Sequence, residues 1–187
     1  MTATPAFLKD TQEVLSAQGF ATGNIWYHGT SSALVGSIQE QGLKGSGDQA
    51  ILEATKKTMA TIGNSYTETQ EPVFLTPSKE LAYYWAQQTV RNRQMRIQGE
   101  EAAVVLEVNL PDELNQQVKP DVGAASLLLL KEGENYLAYL ASLYQANGLE
   151  LPQINLMKAE RTDYLKLLGM AYSDQDIPAE YIRLLAE

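Results

Sequence analysis

Phe7, Leu8, Val14 and Leu15 recur at helical spacing through residues 4–18, and a glycine, Gly19, follows them. Apolar side chains three and four apart line one side of a 3.6-residue helix, so the pattern predicts an N-terminal helix within residues 1–22. Gly23 and Asn24 make a turn before Ile25-Trp26-Tyr27-His28, a short aromatic-rich strand. Ser31 or Ser32 can cap the helix that follows, on which Leu34, Val35 and Ile38 share a face and which Gly42 ends. The stretch Gly45-Ser46-Gly47-Asp48 is a flexible turn leading into a predicted helix through Met59.

Farther along, the period switches repeatedly between helix and strand. Val73 to Thr76 reads as a strand closed by Pro77, and Ser78 opens a helix running to about Arg96. Ala102 to Leu110 is the clearest strand, an almost continuous apolar run that turns to alternation and stops at Pro111. Leu137, Leu140 and Tyr144 line one face of a helical region over 124–147, and a further helix is predicted over 154–166. Leu168 to Ser173 reads as a last strand, and Pro178 as the start of a terminal helix. There is no internal repeat, low-complexity tract or linker. Short strands mixed irregularly with helices predict a single α+β domain over residues 1–187, not a doubly wound parallel sheet.

Composition removes several chemistries. The chain has no cysteine, so disulfides, thiolate nucleophiles and zinc–thiolate sites are out. It has a single histidine, His28, so no two-histidine metal site can form within it. A carboxylate-built magnesium or calcium site remains open, but no loop has calcium-ligand spacing, and no metal is expected. The net charge is −9 and the pI about 4.7, which opposes broad binding to a phosphate backbone. Two small basic spots stand out, Arg91, Arg93 and Arg96 together, and Lys56 with Lys57. Neither phosphate-loop pattern, G-x-G-x-x-G or G-x-x-x-x-G-K-[ST], occurs. No signal peptide is visible and the longest apolar run, Ala124 to Leu130, is far short of the ~20 residues that span a bilayer. A cytoplasmic protein with no membrane partner is expected, with signal-less export left open.

Two segments carry candidate chemistry. A strand ending in His28-Gly29-Thr30 exposes an imidazole at a sheet edge, and the glycine lets a ligand approach its N–H and C=O. That backbone pair can hold a planar carboxamide while the imidazole bonds a sugar hydroxyl. The competing interpretation is a structural histidine ahead of a helix cap. In the second segment a strand delivers Phe74 and Thr76, and the next helix presents Tyr83, Tyr84 and Trp85. One of these rings could stack on a flat heteroaromatic ligand, or all could be core.

These residues carry a resemblance. WYHGTSSALVGSIQEQGL resembles the first motif of the ADP-ribosyltransferase superfamily, on its diphtheria-toxin and poly-ADP-ribose-polymerase branch. PVFLTPSKELAYYWA looks like the second motif, VVLEVNLPDEL resembles the strand that follows, and IPAEYIRLL resembles the Ile-Pro-Pro-x-x-Ile ending. The segments come in the family's order and cover most of residues 25–185, except 111–165, which would be a helical insertion. The resemblance implies an ADP-ribosyltransferase-like fold, a split and mostly antiparallel sheet with surrounding helices. It also implies NAD as substrate, cleavage of the nicotinamide–ribose bond, and mono-ADP-ribosylation of a macromolecule, protein rather than nucleic acid. His28 would bond the nicotinamide ribose, Gly29 would clamp the carboxamide, and Thr30 would support the turn. Phe74 falls where the branch often has the tyrosine of its His-Tyr-Glu signature. Thr76 would line the same pocket, and Tyr84, or Tyr83 one residue away, would stack on nicotinamide.

The third motif departs from the family. The stretch Leu167 to Ser173, where its catalytic glutamate belongs, has no acid, and Asp174, Gln175 or Asp176 just beyond it are the candidates. They could equally form a polar turn before the terminal segment. Two alternatives follow: a catalytically degenerate domain that binds NAD or a partner protein, and an RNA 2′-phosphotransferase-like enzyme. Against the latter stand the missing second histidine and the acidic balance. No residue chooses between a toxin-like bacterial or phage effector and a housekeeping enzyme.

Overall fold

The computed structural model describes residues 3–45, 53, 71–123, 130–155 and 158–187. Within them the chain is α+β, with two small antiparallel sheets at its centre. The first sheet has the order β3-β5-β8, from β3 (Ile25–Ser31), β5 (Ala103–Asn109) and β8 (Ile182–Leu184). The second has the order β4-β7-β6, from β4 (Val73–Leu75), β6 (Val118–Pro120) and β7 (Ala171–Ser173). Every pairing is antiparallel, and β3 and β5 run together over seven residues, with His28 opposite Leu106.

The long helix α3 (Lys79–Gln94) lies across β3. Its position follows from small residues on both sides: a Cβ on Gly29 would fall 1.8 Å from the Ala82 carbonyl oxygen and 2.6 Å from the Ala86 nitrogen. Ala82 and Ala86 are four apart and share a face, so helix and strand approach backbone to backbone. The other face of β3 and β5 packs Trp26, Leu106 and Val108 against Ile38 of α2 (Val35–Gln41) and Leu43 beyond it. Gly42 ends α2 with φ 81°, a conformation open to glycine, and a Cβ there would meet the Ile177 carbonyl oxygen at 2.2 Å. On the far side of α3, α5 (Lys131–Ala146) inserts Tyr136, Leu140 and Tyr144 into a core with Leu81, Tyr84 and Leu168.

The predicted N-terminal helix breaks into a 3-10 turn (Ala6–Leu8), a short α1 (Thr11–Val14) and a hairpin of β1 (Leu15–Ser16) with β2 (Gly19–Phe20). Two long-range demands override the local period. Leu8 is drawn into the cluster of Ala82, Tyr83 and Val105. Asp10, 3% exposed, leaves its own segment to cap α3, accepting from Ser78 Oγ (2.7 Å) and the Lys79 amide (2.6 Å). Glu80 returns the favour at the start of α1, accepting from the Thr11 amide (3.1 Å) and hydroxyl (2.6 Å). Buried carboxylates thus satisfy orphan N–H groups of helices about 70 residues apart in sequence.

Three further expectations change. The terminal helix is a 3-10 turn followed by β8: Ile182 and Leu184 alternate with Arg183, pack on the sheet, and complete the open edge of β5. The helix expected over 154–166 shrinks to α6 (Arg161–Lys166), which opens with a capping box of Glu160 and Asp163. The region 111–165 is not purely helical, because α4 (Asp112–Asn115) leads into β6, which joins the second sheet. The helix expected through Met59 and the start of the one over 124–147 lie outside the described residues.

Candidate functional site

Among the described residues the two sheets share one backbone bridge. Tyr27 exchanges both backbone bonds with Thr76 (2.8 and 3.0 Å), an isolated bridge between β3 and the end of β4. An antiparallel ladder would continue two residues on, pairing Gly29 with Phe74. Instead the imidazole of His28 takes the Phe74 carbonyl, at 2.8 Å from Nδ1. The alternation of a strand then fixes where Gly29 points. Trp26, His28 and Thr30 turn their backbone groups to β5, whereas Tyr27, Gly29 and Ser31 turn theirs to β4. The N–H and C=O of Gly29 therefore face the split without a strand partner among the described residues.

A cleft of ≈ 1180 Å³ opens there, walled by β3, β4, α2, α3 and the Met170–Ala171 end of β7. His28, Gly29, Thr30, Phe74 and Thr76 all line it, so the first-motif residues and the strand of the second are brought together. Phe74 is half exposed at its wall, while Thr30 and Thr76 are buried at its base. The contact with α3 by itself requires a glycine at position 29.

The tautomer of His28 follows from its partner. A carbonyl oxygen only accepts, so Nδ1 carries the proton and donates it, leaving Nε2 as a bare acceptor. Desolvation by the surrounding protein lowers the imidazole pKa below 6.5, against an opposing pull from the Phe74 carbonyl. One edge of the ring still reaches the cleft, since the residue is only partly buried. A neutral imidazole with a free Nε2 at pH 7 is the result.

Neither tyrosine of the second motif reaches the cleft. Tyr84 is 3% exposed, stacked on Tyr139 (4.9 Å, 20°) and tilted against Tyr136 (5.4 Å) in the core under α5. Tyr83 packs with Leu8, Ala82 and Val105 on the opposite side. Trp85 lines the cleft instead, its indole supported from behind by Tyr136 (4.9 Å) and perpendicular to Tyr84 (5.2 Å). Trp85 was legible in principle: Ala82 and Ala86 face Gly29, and Trp85, about 60° to one side of Ala82 on the wheel, lies at the border of that face. Gln88, Thr89 and Asn92 continue the same border along the cleft.

The side chains suggested beyond the third motif, Asp174, Gln175 and Asp176, are elsewhere. Asp174 is half exposed and bonded to Lys119 Nζ at 2.5 Å, and Gln175 closes a turn with Ser173. None lines the cleft. Two other acids do: Glu71, exposed at the rim, and Asp121, 8% exposed, whose amide donates to the Met170 carbonyl (3.0 Å). Sequence reasoning missed Asp121, because it sits in the region left without a counterpart.

Arg93 also leaves the basic patch expected of it. It is 4% exposed and grips Glu101 twice (2.7 and 3.0 Å), while Ser31 donates to the same carboxylate at 2.5 Å. This network ties the ends of β3 and α3 to the segment entering β5, and the guanidinium holds Glu101 below the usual carboxylate range. Among the described residues no cluster of three acids or histidines could hold a metal ion, and no helix is long and apolar enough to cross a membrane. No protein-family model matches the chain, and no curated protein matches it either.

Proposed function

We propose that the cleft binds NAD and that the protein cleaves the nicotinamide–ribose bond, transferring one ADP-ribose to a macromolecular acceptor, protein rather than nucleic acid. The observation that carries this reading is the unpaired backbone of Gly29 beside the bare Nε2 of His28, where the β3–β4 ladder stops. The Gly29 N–H donates to the carboxamide oxygen and its C=O accepts from the carboxamide N–H, which fixes a flat ring by two bonds. His28 Nε2 accepts from a hydroxyl of the attached ribose. Trp85 and the half-exposed Phe74 offer π-faces to that ring, a contact worth ~0.5–1.5 kcal/mol beyond its area.

Bond breaking builds positive charge on the ribose. A dry wall around it strengthens every electrostatic contact and keeps water from competing with the acceptor. A neutral His28 suits this role, because a protonated imidazole would repel the developing cation. The arrangement of two antiparallel sheets meeting at one bridge supports the ADP-ribosyltransferase-like fold that the motif order suggested.

A second reading has a specific observation behind it. β7, where the family's acid belongs, presents Met170 and Ala171 to the cleft, as expected of a domain that binds NAD without turnover. Incubation with labelled NAD and a host lysate separates the two: label on protein supports transfer, and free labelled ADP-ribose supports hydrolysis. NAD binding, followed by quenching of Trp85 fluorescence, with neither product, would sink the enzyme reading. Absence of binding would sink both.

A further inference from the structure

We propose that Tyr136 is a positioning residue for the cleft. Its hydroxyl ties the Trp85 wall on α3 to the Met170 wall ahead of β7, and so sets the ring on which a flat ligand stacks. This rests on the NAD reading for the ligand and names the residue behind its stacking surface.

The constraint begins at the end of α6. Gly169 closes that helix with φ 66°, its amide donating to the Leu165 carbonyl (2.9 Å) and the Met170 amide to the Tyr164 carbonyl (3.0 Å). This closure leaves the carbonyls of Leu167 and Leu168 without helical partners, and Leu168 is fully buried. Two tyrosines of α5, about two turns apart, supply the donors: Tyr144 to Leu167 (2.9 Å) and Tyr136 to Leu168. The residues that follow, Gly169, Met170 and Ala171, are wall of the cleft.

Tyr136 does more than Tyr144, whose ring meets Phe20 edge-on (6.2 Å). The Tyr136 ring backs the Trp85 indole (4.9 Å, 34°), and the indole N–H donates to its hydroxyl. One buried oxygen thus accepts from the α3 wall and donates to the turn before the β7 wall. An indole has a single polar group, a donor, and this bond spends it inside the protein. What Trp85 offers the cleft is a π-face, at an angle fixed from behind. That wall selects for a flat ring and gives no hydrogen bond to a polar edge. Tyr136 is itself fully buried and does not line the cleft, so it acts on a ligand through Trp85.

The test compares Tyr136→Phe with Tyr144→Phe in the full chain. Each removes one hydroxyl, keeps its ring and strands one carbonyl, so the melting temperature should fall in both. Two readouts separate them. The chain has two tryptophans, hence two indole N–H signals in a nitrogen–proton correlation spectrum. Trp26, whose N–H is bonded to Asn115 (2.7 Å), is the internal reference. Tyr136→Phe should move the Trp85 signal upfield and leave that of Trp26 in place, whereas Tyr144→Phe should move neither. NAD binding, by calorimetry, should weaken roughly 2- to 5-fold in Tyr136→Phe, within the range of one stacking contact, and stay unaltered in Tyr144→Phe. In a Trp85→Ala background, Tyr136→Phe should weaken binding no further, because the two side chains act as one unit.

Equal NAD affinity in wild type and Tyr136→Phe overturns the inference. So does an equal loss in both tyrosine variants, or a loss that persists without Trp85. If the wild-type protein binds no NAD, the NAD reading fails by itself and the indole signal decides. A Trp85 signal unmoved by Tyr136→Phe then overturns the coupling, and a moved one upholds it.

Discussion

The two seams of β3 behave differently. Along β5 the ladder runs unbroken from Ile25 to Ser31. Along β4 it holds for one pair, Tyr27 with Thr76, and stops. The closed seam carries the apolar side chains, with Val105, Leu106 and Val108 all at 1% exposure or less. At the open seam a side chain replaces a backbone partner, His28 for Gly29, and a cleft begins. Unpaired backbone is costly in a dry interior but becomes a binding surface where a ligand can complete it. This strand holds the fold with one edge and leaves the other open to the cleft.

The strongest way to break the contrast is Gly29→Ala. The added methyl would overlap the Ala82 carbonyl at 1.8 Å, backbone against backbone, and neither element can yield alone. Destabilisation of about 3 kcal/mol or more is expected, the upper end for overpacking, measured as a fall in the urea midpoint. A stable Gly29→Ala protein would show that α3 is not seated on β3 as described.

Arg93→Ala comes next. It strands Glu101 with only Ser31 and should cost about 2–3 kcal/mol, a little under the ~3–5 of breaking a buried pair because Ser31 still donates to the carboxylate. The pH dependence gives a second readout. Glu101 is held below its ordinary value of 4.5 when folded, so its contribution is present above that pH. It is lost as pH falls through the lower folded value. Urea unfolding from pH 7 down to pH 3 should show this acid-side loss in the wild type and not in Arg93→Ala.

His28→Ala sharpens the open seam without touching the closed one. Turnover of NAD should fall on the order of 100-fold, with the melting temperature little changed. In the wild type, turnover should decline as pH falls through the His28 pKa, which lies below 6.5, because protonation consumes the Nε2 acceptor. An acid limb centred above pH 6.5 would detach His28 from the reaction. Trp85→Ala should weaken NAD binding about 2- to 10-fold, in keeping with one stacking contact, measured by calorimetry, whereas Tyr84→Phe should leave it unaltered. The smallest effect belongs to Asp174→Ala, which should change neither turnover nor melting temperature, since its pairing with Lys119 lies in solvent outside the cleft.

How far the site could be read in advance depends on the distance over which each feature is decided. His28, Gly29, Thr30, Phe74 and Thr76, which line one cleft, could be singled out because each lies in a short motif whose strand is written in the local pattern. Tyr84 was misplaced because one residue of helix is a 100° rotation, and only the seating of Ala82 and Ala86 on Gly29 sets the phase. Asp121 was missed because its place depends on β6 pairing with β7 across some 50 residues.

The sequence by itself determined that β3, β5 and α3 exist and, to within a residue or two, where β5 and α3 begin and end, because hydrophobic period, a serine cap and two prolines act over a few residues. The tertiary structure decided what those elements face. It turned Asp10 and Glu80 into each other's helix caps, converted the last segment into a strand for the open edge of β5, and left Gly29 unpaired. Each of these outcomes answers a buried polar group or an open edge with a partner far along the chain. A local pattern does not encode such partners, because burial is a property of the assembled fold.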